Sequence, residues 1–422
     1  MIQLEEAILR ILEQIPRLGL ERVNLLQAQG RVLGEDVVAP RNLPPWDNSA
    51  MDGYALRWKD VQKTSAEKPV RLKVLADLAA GRIYKGRVGK GEAIRIMTGA
   101  PLPRGVDTVI QVEDTEKAGS AVKIFAGPGK GKNIRRAGED VKAGERVLHK
   151  GIVLQPAHIG MLASFQRSFV SVYQQPRVAI LSTGDELLEI DEPWAGGKIV
   201  NSNSYSLAAQ VTACGGLPIQ LGIAKDQIDA LLSKIRQGLI ADLLLTSGGV
   251  SVGDYDFVKE VLKSHGKINF WKVAMRPGQP LACGIIFGKP LIGLPGNPVS
   301  AMVSFEQFVR PSILKMSGHQ NLFPPALQAE LTEDIEKKAG LVHFIRCRLF
   351  REGEKTFAST TGEQGSGILS SMVKAQGLIV LPPDRKRVQA GEAVSVILLD
   401  PTFLHTPKPS YLFFADSREK NC

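Results

Sequence analysis

The chain has 422 residues, 44% hydrophobic and 23% charged, with a formal net charge of +10 at pH 7. That length exceeds what one hydrophobic core organises, so several domains are expected, and the balance excludes a disordered chain. No apolar run approaches the roughly 20 residues that span a bilayer, and the opening Met1-Ile2-Gln3-Leu4-Glu5-Glu6 is acidic where a secretory signal is basic, so a cytoplasmic protein without membrane association is expected.

Leu4, Ile8, Ile11, Leu12 and Ile15 recur at helical spacing up to Pro16, which predicts an amphipathic first helix. From about Asp47 to Lys142 the texture turns to short alternating stretches such as Arg71-Leu72-Lys73-Val74-Leu75 and Glu92-Ala93-Ile94-Arg95-Ile96, predicting a β-rich insertion. A helix is expected over Gln155 to Phe165, with Pro156 at its first position.

From Arg177 to Met316 strands and helices alternate, the pattern of a doubly wound, mostly parallel α/β sheet. Strands are predicted at Val178 to Leu181, Ile219 to Ile223, Leu243 to Thr246, Ile268 to Val273 and Leu291 to Leu294. Helices are predicted at Ser204 to Cys214, Ile228 to Gln237 and Phe257 to Ser264, closed by Gly215, Gly238 and Gly266 as C-caps, with a last helix from Val299 to Lys315. Strands return at Val342 to Phe350, Leu378 to Leu381 and Val394 to Leu398, predicting a small C-terminal barrel or sandwich. The expected fold class is therefore multidomain α/β plus β. Its parts are an N-terminal helical and linker domain (1–46 with 143–176), the β-rich insertion (47–142), the α/β domain (177–322), a β-barrel-like domain (323–405) and a tail (406–422).

Several functions are disfavoured. The basic charge is dispersed among only 6% aromatic residues with no nucleic-acid-binding signature, so a nucleic-acid reader would rest on charge alone. The four cysteines, Cys214, Cys283, Cys347 and Cys422, are scattered without zinc-site spacing, the first three reading as core residues and the last as exposed. Gly127-Pro128-Gly129-Lys130-Gly131-Lys132 has neither the spacing nor the hydroxyl of a P-loop, and no strand leads into GxGxxG.

In open parallel sheets ligands bind beyond the carboxyl ends of the strands, and the loops there are rich in chemistry. Ser182-Thr183-Gly184-Asp185-Glu186 sets two adjacent carboxylates at one strand end. Thr246-Ser247-Gly248-Gly249-Val250-Ser251-Val252-Gly253-Asp254-Tyr255-Asp256 is a Gly-rich loop whose N–H groups suit an anion. Pro295-Gly296-Asn297-Pro298 opens a helix, with Asn297 placed to cap it. Singly, each such loop is as often only a turn. Three on one sheet edge match what Mg²⁺-dependent phosphate chemistry needs.

Together with Asp47-Asn48-Ser49-Ala50-Met51-Asp52-Gly53-Tyr54-Ala55, Met97-Thr98-Gly99-Ala100-Pro101 and Arg136-Ala137-Gly138-Glu139-Asp140, these loops make the chain, from residue 1 to about 400, resemble the molybdopterin molybdenumtransferase family, whose eukaryotic relatives include the C-terminal part of gephyrin. The resemblance implies an elongated homodimer of four-domain subunits that uses Mg²⁺, with molybdate and adenylylated molybdopterin as substrates and AMP as product. It also implies a molybdopterin adenylyltransferase as pathway partner. Carried onto this sequence, it implies catalytic roles for Asp52, Thr98, Asp140, Glu186, Asp256, Lys272 and Arg276. Molybdopterin and oxyanion binding would fall to Thr183, Gly184, Ser247, Gly248, Gly249, Ser251, Gly253, Asp254, Pro295, Gly296, Asn297, Pro298, Ser300, Gln279 and Arg346, and Mg²⁺ to Glu186, Asp226 and Asp256. Many family members carry Lys where this chain has Gln279, which removes one cation from the implied oxyanion site. The alternative is a non-catalytic scaffold of the same fold, whose expected marks, broken acidic sites or a fused partner-binding region, are absent from the sequence.

Overall fold

The computed structural model describes residues 1–127, 129–225, 227–249, 261 and 263–406. The chain divides into two compact units, Met1–Glu21 with Val172–Cys422, and Arg22–Ser171.

In the second of these, strands Gly53–Leu56, Val70–Leu78, Glu92–Ile96, Thr108–Gln111, Thr115–Ala118 and Ala121–Ile124 form one six-stranded sheet. All its pairs are antiparallel except Val70–Leu78 with Glu92–Ile96. Tyr54, Leu56, Leu72, Ala93, Ile110 and Val122 bury one face, while Ala55, Ile94, Ile96 and Val109 bury the other, the period-2 alternation of a sheet packed on both sides. Helix Pro156–Ser164 starts with Pro156 at its first position, as expected; its capping box joins the Gln155 side chain to His158.

The first unit holds a six-stranded sheet in the order Leu217–Ala224, Arg177–Thr183, Leu243–Ser247, Lys289–Leu294, Pro280–Ile286, Gly266–Lys272. The first four strands are parallel. Pro280–Ile286 pairs antiparallel with both Lys289–Leu294 and Gly266–Lys272, so it alone is reversed in a mostly parallel sheet; Gly266–Lys272 matches the expected strand at Ile268 to Val273, whereas its neighbour was not predicted. The missing partner, Pro-Leu-Ala-Cys-Gly-Ile-Ile at 280–286, is a short buried run between Pro280 and a turn at Phe287, without the alternation that marks a strand in sequence.

Val178, Ile180, Leu243, Leu245, Ile292 and Leu294 project to one face, packed by Leu207 and Val211 of helix Ser202–Ala213, by Phe305 and Phe308, and by Leu4, Ala7 and Ile11 of the first helix, Leu4–Gln14. Ala179, Leu181, Leu244 and Leu291 project to the other, beneath Leu231 and Ile235 of helix Ile228–Gly238. Two expected glycine caps are corrected. Gly238 is the last residue of its helix, where a side chain would collide with Leu244 and Leu221, so packing accounts for it; Gly266 begins a strand. Gly215 does take the left-handed conformation after its helix, at φ 79°. The predicted helix Phe257 to Ser264 falls largely outside the described residues. The last helix runs from Pro298 to Met316 through one π-turn at Phe305–Val309.

Strands Val342–Glu352, Lys355–Thr360, Ala326–Leu331, Ala393–Leu398 and Gly377–Leu381 pair in that spatial order around a ring that Val342–Glu352 closes against Gly377–Leu381, giving a closed five-stranded barrel. Met275–Arg276 adds to it in parallel alongside Val342 and His343. Cys214, Cys283 and Cys347 are buried free thiols, and burial pushes them up to about 11, 12 and 12, so they are core residues. No helix among the described residues is long and apolar enough to cross a membrane.

Candidate functional site

Strands Arg177–Thr183, Leu243–Ser247 and Lys289–Leu294 are neighbours in the sheet, so their carboxyl-end loops meet. The Gly248 N–H donates to the Leu294 carbonyl at 3.0 Å. Gly248 adopts φ 91°, and a Cβ there would stand 2.8 Å from the Thr183 carbonyl oxygen, so only glycine lets the second loop cross the first. Gly296 follows closely, with space for a Cβ 3.7 Å from the Gly248 Cα. Helix Ser202–Ala213 ties the loops together. Its cap Asn201 accepts from the Ser182 hydroxyl at 2.8 Å and the Ser204 amide at 3.3 Å, while Asn203 Nδ2 donates to Ser247 Oγ and to the Gly296 carbonyl, both at 2.8 Å.

The cluster is buried, yet Thr183 Oγ1, Asn201 Nδ2 and Asn203 Oδ1 have no hydrogen-bond partner among the described residues. A buried polar atom without a partner costs roughly 1–3 kcal/mol, so their concentration at one strand end marks a place built for a polar ligand. Glu186 is exposed beside it, its carboxylate folded over Gly184 so that a Cβ on that glycine would meet Glu186 Cδ at 2.7 Å. Among the described residues no three His, Cys, Asp or Glu side chains gather as a ready metal cage. Glu186 remains a hard oxygen donor of the kind Mg²⁺ takes, at the rim of the polar cluster. Asp226, Ser251, Gly253, Asp254 and Asp256 lie outside the described residues.

A second cluster lies where the barrel meets the sheet domain. Arg346 is 1% exposed, donates from Nε to Ser371 Oγ and from Nη2 to the Gly365 carbonyl, each at 3.1 Å, and pairs with no carboxylate among the described residues. Burial lowers it to about 10, which leaves it charged at neutral pH. It lines a cavity of about 720 Å³ with Arg276, His343 and Gln364. The loop Gln364-Gly365-Ser366 joins this cavity to the third strand-end loop: Gln364 Oε1 accepts from the Arg346 amide at 2.9 Å, and Ser366 Oγ accepts from Asn297 Nδ2 at 3.1 Å. Asn297 therefore stands at the cap position without capping through its side chain, correcting the expected role, while Pro298 holds the first helical position. Ser300 is buried, and Gly278 packs on that helix, where a Cβ would meet Ser304 Oγ and the Ser300 carbonyl. Gln279 is half-buried on the adjoining turn; Lys272 is exposed at the end of the edge strand, and neither lines the cavity.

In the other unit three motifs knit together. The Thr98 amide and hydroxyl both donate to Asp52 Oδ1 at 2.7 Å, which, with Arg95 nearby, lowers Asp52 below its ordinary value. Asp47 accepts from the Ala137 amide at 2.8 Å and from Arg136 at 2.6 Å, and is lowered for the same kind of reason. The Gly99 amide donates to the Ser49 carbonyl, and the Asp140 amide to the Leu43 carbonyl. Asp52, Thr98 and Asp140 are exposed residues of this unit.

Residues 2–165 match the MoeA N-terminal region (domain I and II), 179–315 the probable molybdopterin binding domain, and 328–399 the MoeA C-terminal region (domain IV). The chain is 39% identical over 402 residues to a molybdopterin molybdenumtransferase of Haemophilus influenzae, covering 94% of this chain and 98% of that one. It is 41% identical over 384 residues to molybdopterin molybdenumtransferase 2 of Mycobacterium tuberculosis, covering 89% and 94%. The chain belongs to the molybdopterin molybdenumtransferase family. The crystal structure of a molybdopterin biosynthesis protein from Pyrococcus horikoshii OT3 is 32% identical, has a TM-score of 0.80, and covers 94% of this chain and 100% of that one.

As a member of this family the chain is a transferase enzyme with a role in molybdenum cofactor biosynthesis. Within its matched binding domain, sequence analysis missed Asn201 and Asn203, although Asn201-Ser202-Asn203-Ser204 at a helix start was a usable signal. It also missed Gln364, Gly365 and Ser366, whose importance comes from a long-range packing that no local pattern encodes.

Proposed function

We propose that the enzyme inserts molybdenum from molybdate into adenylylated molybdopterin, releasing AMP in a Mg²⁺-dependent step. The observation that carries this reading is the knot of Thr183, Ser247, Gly248, Asn203 and Gly296, with its unpartnered buried polar atoms opening beside Glu186. Thr183 and Asn203 offer hydrogen bonds to the pterin or phosphate; the Gly184 and Gly248 amides already donate to the Ala224 and Leu294 carbonyls, so the turns at Gly249 and 295–298 are the ones that offer backbone amides to an anion. Ser251, Gly253 and Asp254 follow in the same Gly-rich sequence motif. Glu186, with Asp226 and Asp256, would hold Mg²⁺, whose charge offsets that of the phosphate as AMP leaves.

The oxyanion falls to the second cluster. Arg346 is a buried cation in search of an anion, Arg276 shares its cavity, and Ser300 stands on the helix that Asn297 and Ser366 fasten to it. Lys272 adds charge at longer range, and Gln279 supplies a neutral amide in place of a cation. Asp52, Thr98 and Asp140 complete the cleft from a second copy of the chain, in a homodimer working in the cytoplasm and fed by a molybdopterin adenylyltransferase. Incubation with molybdopterin-AMP, Mg²⁺ and molybdate should release AMP in a molybdate-dependent manner; release that ignores molybdate would contradict the reading.

A further inference from the structure

Resting on that reading of the oxyanion cavity, one of its side chains has no role yet. His343 is 8% exposed and lines the cavity, and its Nε2 is buried without a hydrogen-bond partner among the described residues. It stands in register with Arg276 across a parallel strand pair, so the two side chains leave the same face at neighbouring positions. On its other side the strand partner is the apolar Leu381.

We propose that His343 takes up a proton when an oxyanion seats beside Arg276, so that this cavity binds its anion together with H⁺. In the protein without ligand, burial, Lys337 and Arg276 push the imidazole down to about 4, so it is neutral at physiological pH. The acids of the surrounding wall do not offset this. Asp334 is bound by Arg387 and the Ala390 amide, Glu336 lies 3.9 Å from Arg387, and Glu333 accepts from the Thr360 amide. Lys337 donates to the Leu341 carbonyl and feels Asp384, while Lys338 adds a further cation to the wall. An incoming dianion reverses the balance: it neutralises the cations that repel a proton, and its own negative charge favours the protonated ring. Both effects raise the imidazole, and by linkage a group whose proton affinity rises on binding draws binding towards lower pH. The site thereby gains a charge that Gln279 does not supply, and only while the anion is present.

The sign is definite. Below about pH 4 the imidazole is protonated with or without ligand, and affinity is insensitive to pH through this group. Above that value affinity falls as pH rises, by up to about tenfold per unit, until the bound-state pKa is passed.

Calorimetric titration of the full-length protein tests this, with molybdate near neutral pH and with sulfate, which stays a dianion, from about pH 5 to about pH 7. Each anion is titrated in two buffers of different ionisation enthalpy, which counts the protons taken up. The wild type should take up a proton fraction on binding, and its sulfate affinity should weaken several-fold towards neutral pH. His343→Gln keeps a hydrogen-bonding amide but cannot titrate, so it should bind with no proton uptake and a flat pH profile. Binding without proton uptake in the wild type, or equal uptake in His343→Gln, would overturn the proposal and leave the oxyanion cavity standing. Failure of the wild type to bind either anion would overturn both.

Discussion

Gly248 and Thr183 lie so close that a single methyl group on the glycine would stand 2.8 Å from the Thr183 carbonyl and 3.0 Å from its hydroxyl. This contact brings the loops after two neighbouring strands into one knot, in which Thr183 Oγ1 has no partner among the described residues.

Gly248→Ala should therefore be costly. A side chain at φ 91° with a backbone collision costs on the order of 1–3 kcal/mol, and relief of the collision must part the two loops. Thermal unfolding should show the loss, and binding of molybdopterin should weaken further than the stability change explains. Gly296→Ala meets only ordinary contact at 3.7 Å, and its unfolding midpoint should stay close to the wild type. Equal destabilisation of both variants would count against the close crossing.

The pair of hydrogen bonds from Thr98 holds Asp52 ionised. Because the folded value is depressed, the associated stability is fully present above the ordinary carboxyl value of about 3.9 and is lost as pH falls through the lowered folded value. Thr98→Val deletes the hydroxyl and keeps the amide, so an NMR titration should find the Asp52 carboxyl shifted part of the way back up. An unchanged titration would mean that the hydroxyl contributes nothing.

The proposed division of the active cleft between two copies predicts complementation. Asp52→Ala and Glu186→Ala chains should each be inactive alone. A mixed dimer should recover part of the activity, since one of its two clefts carries neither change. Verified heterodimers with no activity would contradict the shared cleft.

Gln279→Lys places a cation where the proposed oxyanion site has a neutral amide. A charged hydrogen bond to an oxyanion is worth about 1.5–3 kcal/mol, so half-saturation by molybdate should fall about tenfold or more while the Mg²⁺ requirement holds. An unchanged molybdate titration would show that residue 279 does not reach the oxyanion.

Much of this was legible in sequence because it depends on local pattern. The alternation of Val178 and Ile180 with Ala179 and Leu181 gave the strand, and the glycines at 184, 248 and 249 announced loops in which a backbone approaches something closely. What escaped depends on distance along the chain. Asn203 acts by reaching Ser247 and Gly296, 44 and 93 residues away, and Gln364 by accepting from the Arg346 amide, 18 residues away. The strand at 280–286 escaped because a fully buried antiparallel strand loses the polar half of its alternation.

The central claim is that the strand-end knot and Glu186 serve metal insertion rather than passive binding. Its most direct measurement is reconstitution of an apo-molybdoenzyme from molybdopterin-AMP, molybdate and Mg²⁺, with AMP release followed in the same samples for the wild type and Glu186→Ala. Active reconstituted enzyme and AMP in equal amounts from the wild type, with neither from a Glu186→Ala protein that retains its circular dichroism, is the predicted result. Normal turnover in Glu186→Ala, or binding of molybdopterin-AMP with no AMP released by the wild type, would contradict it.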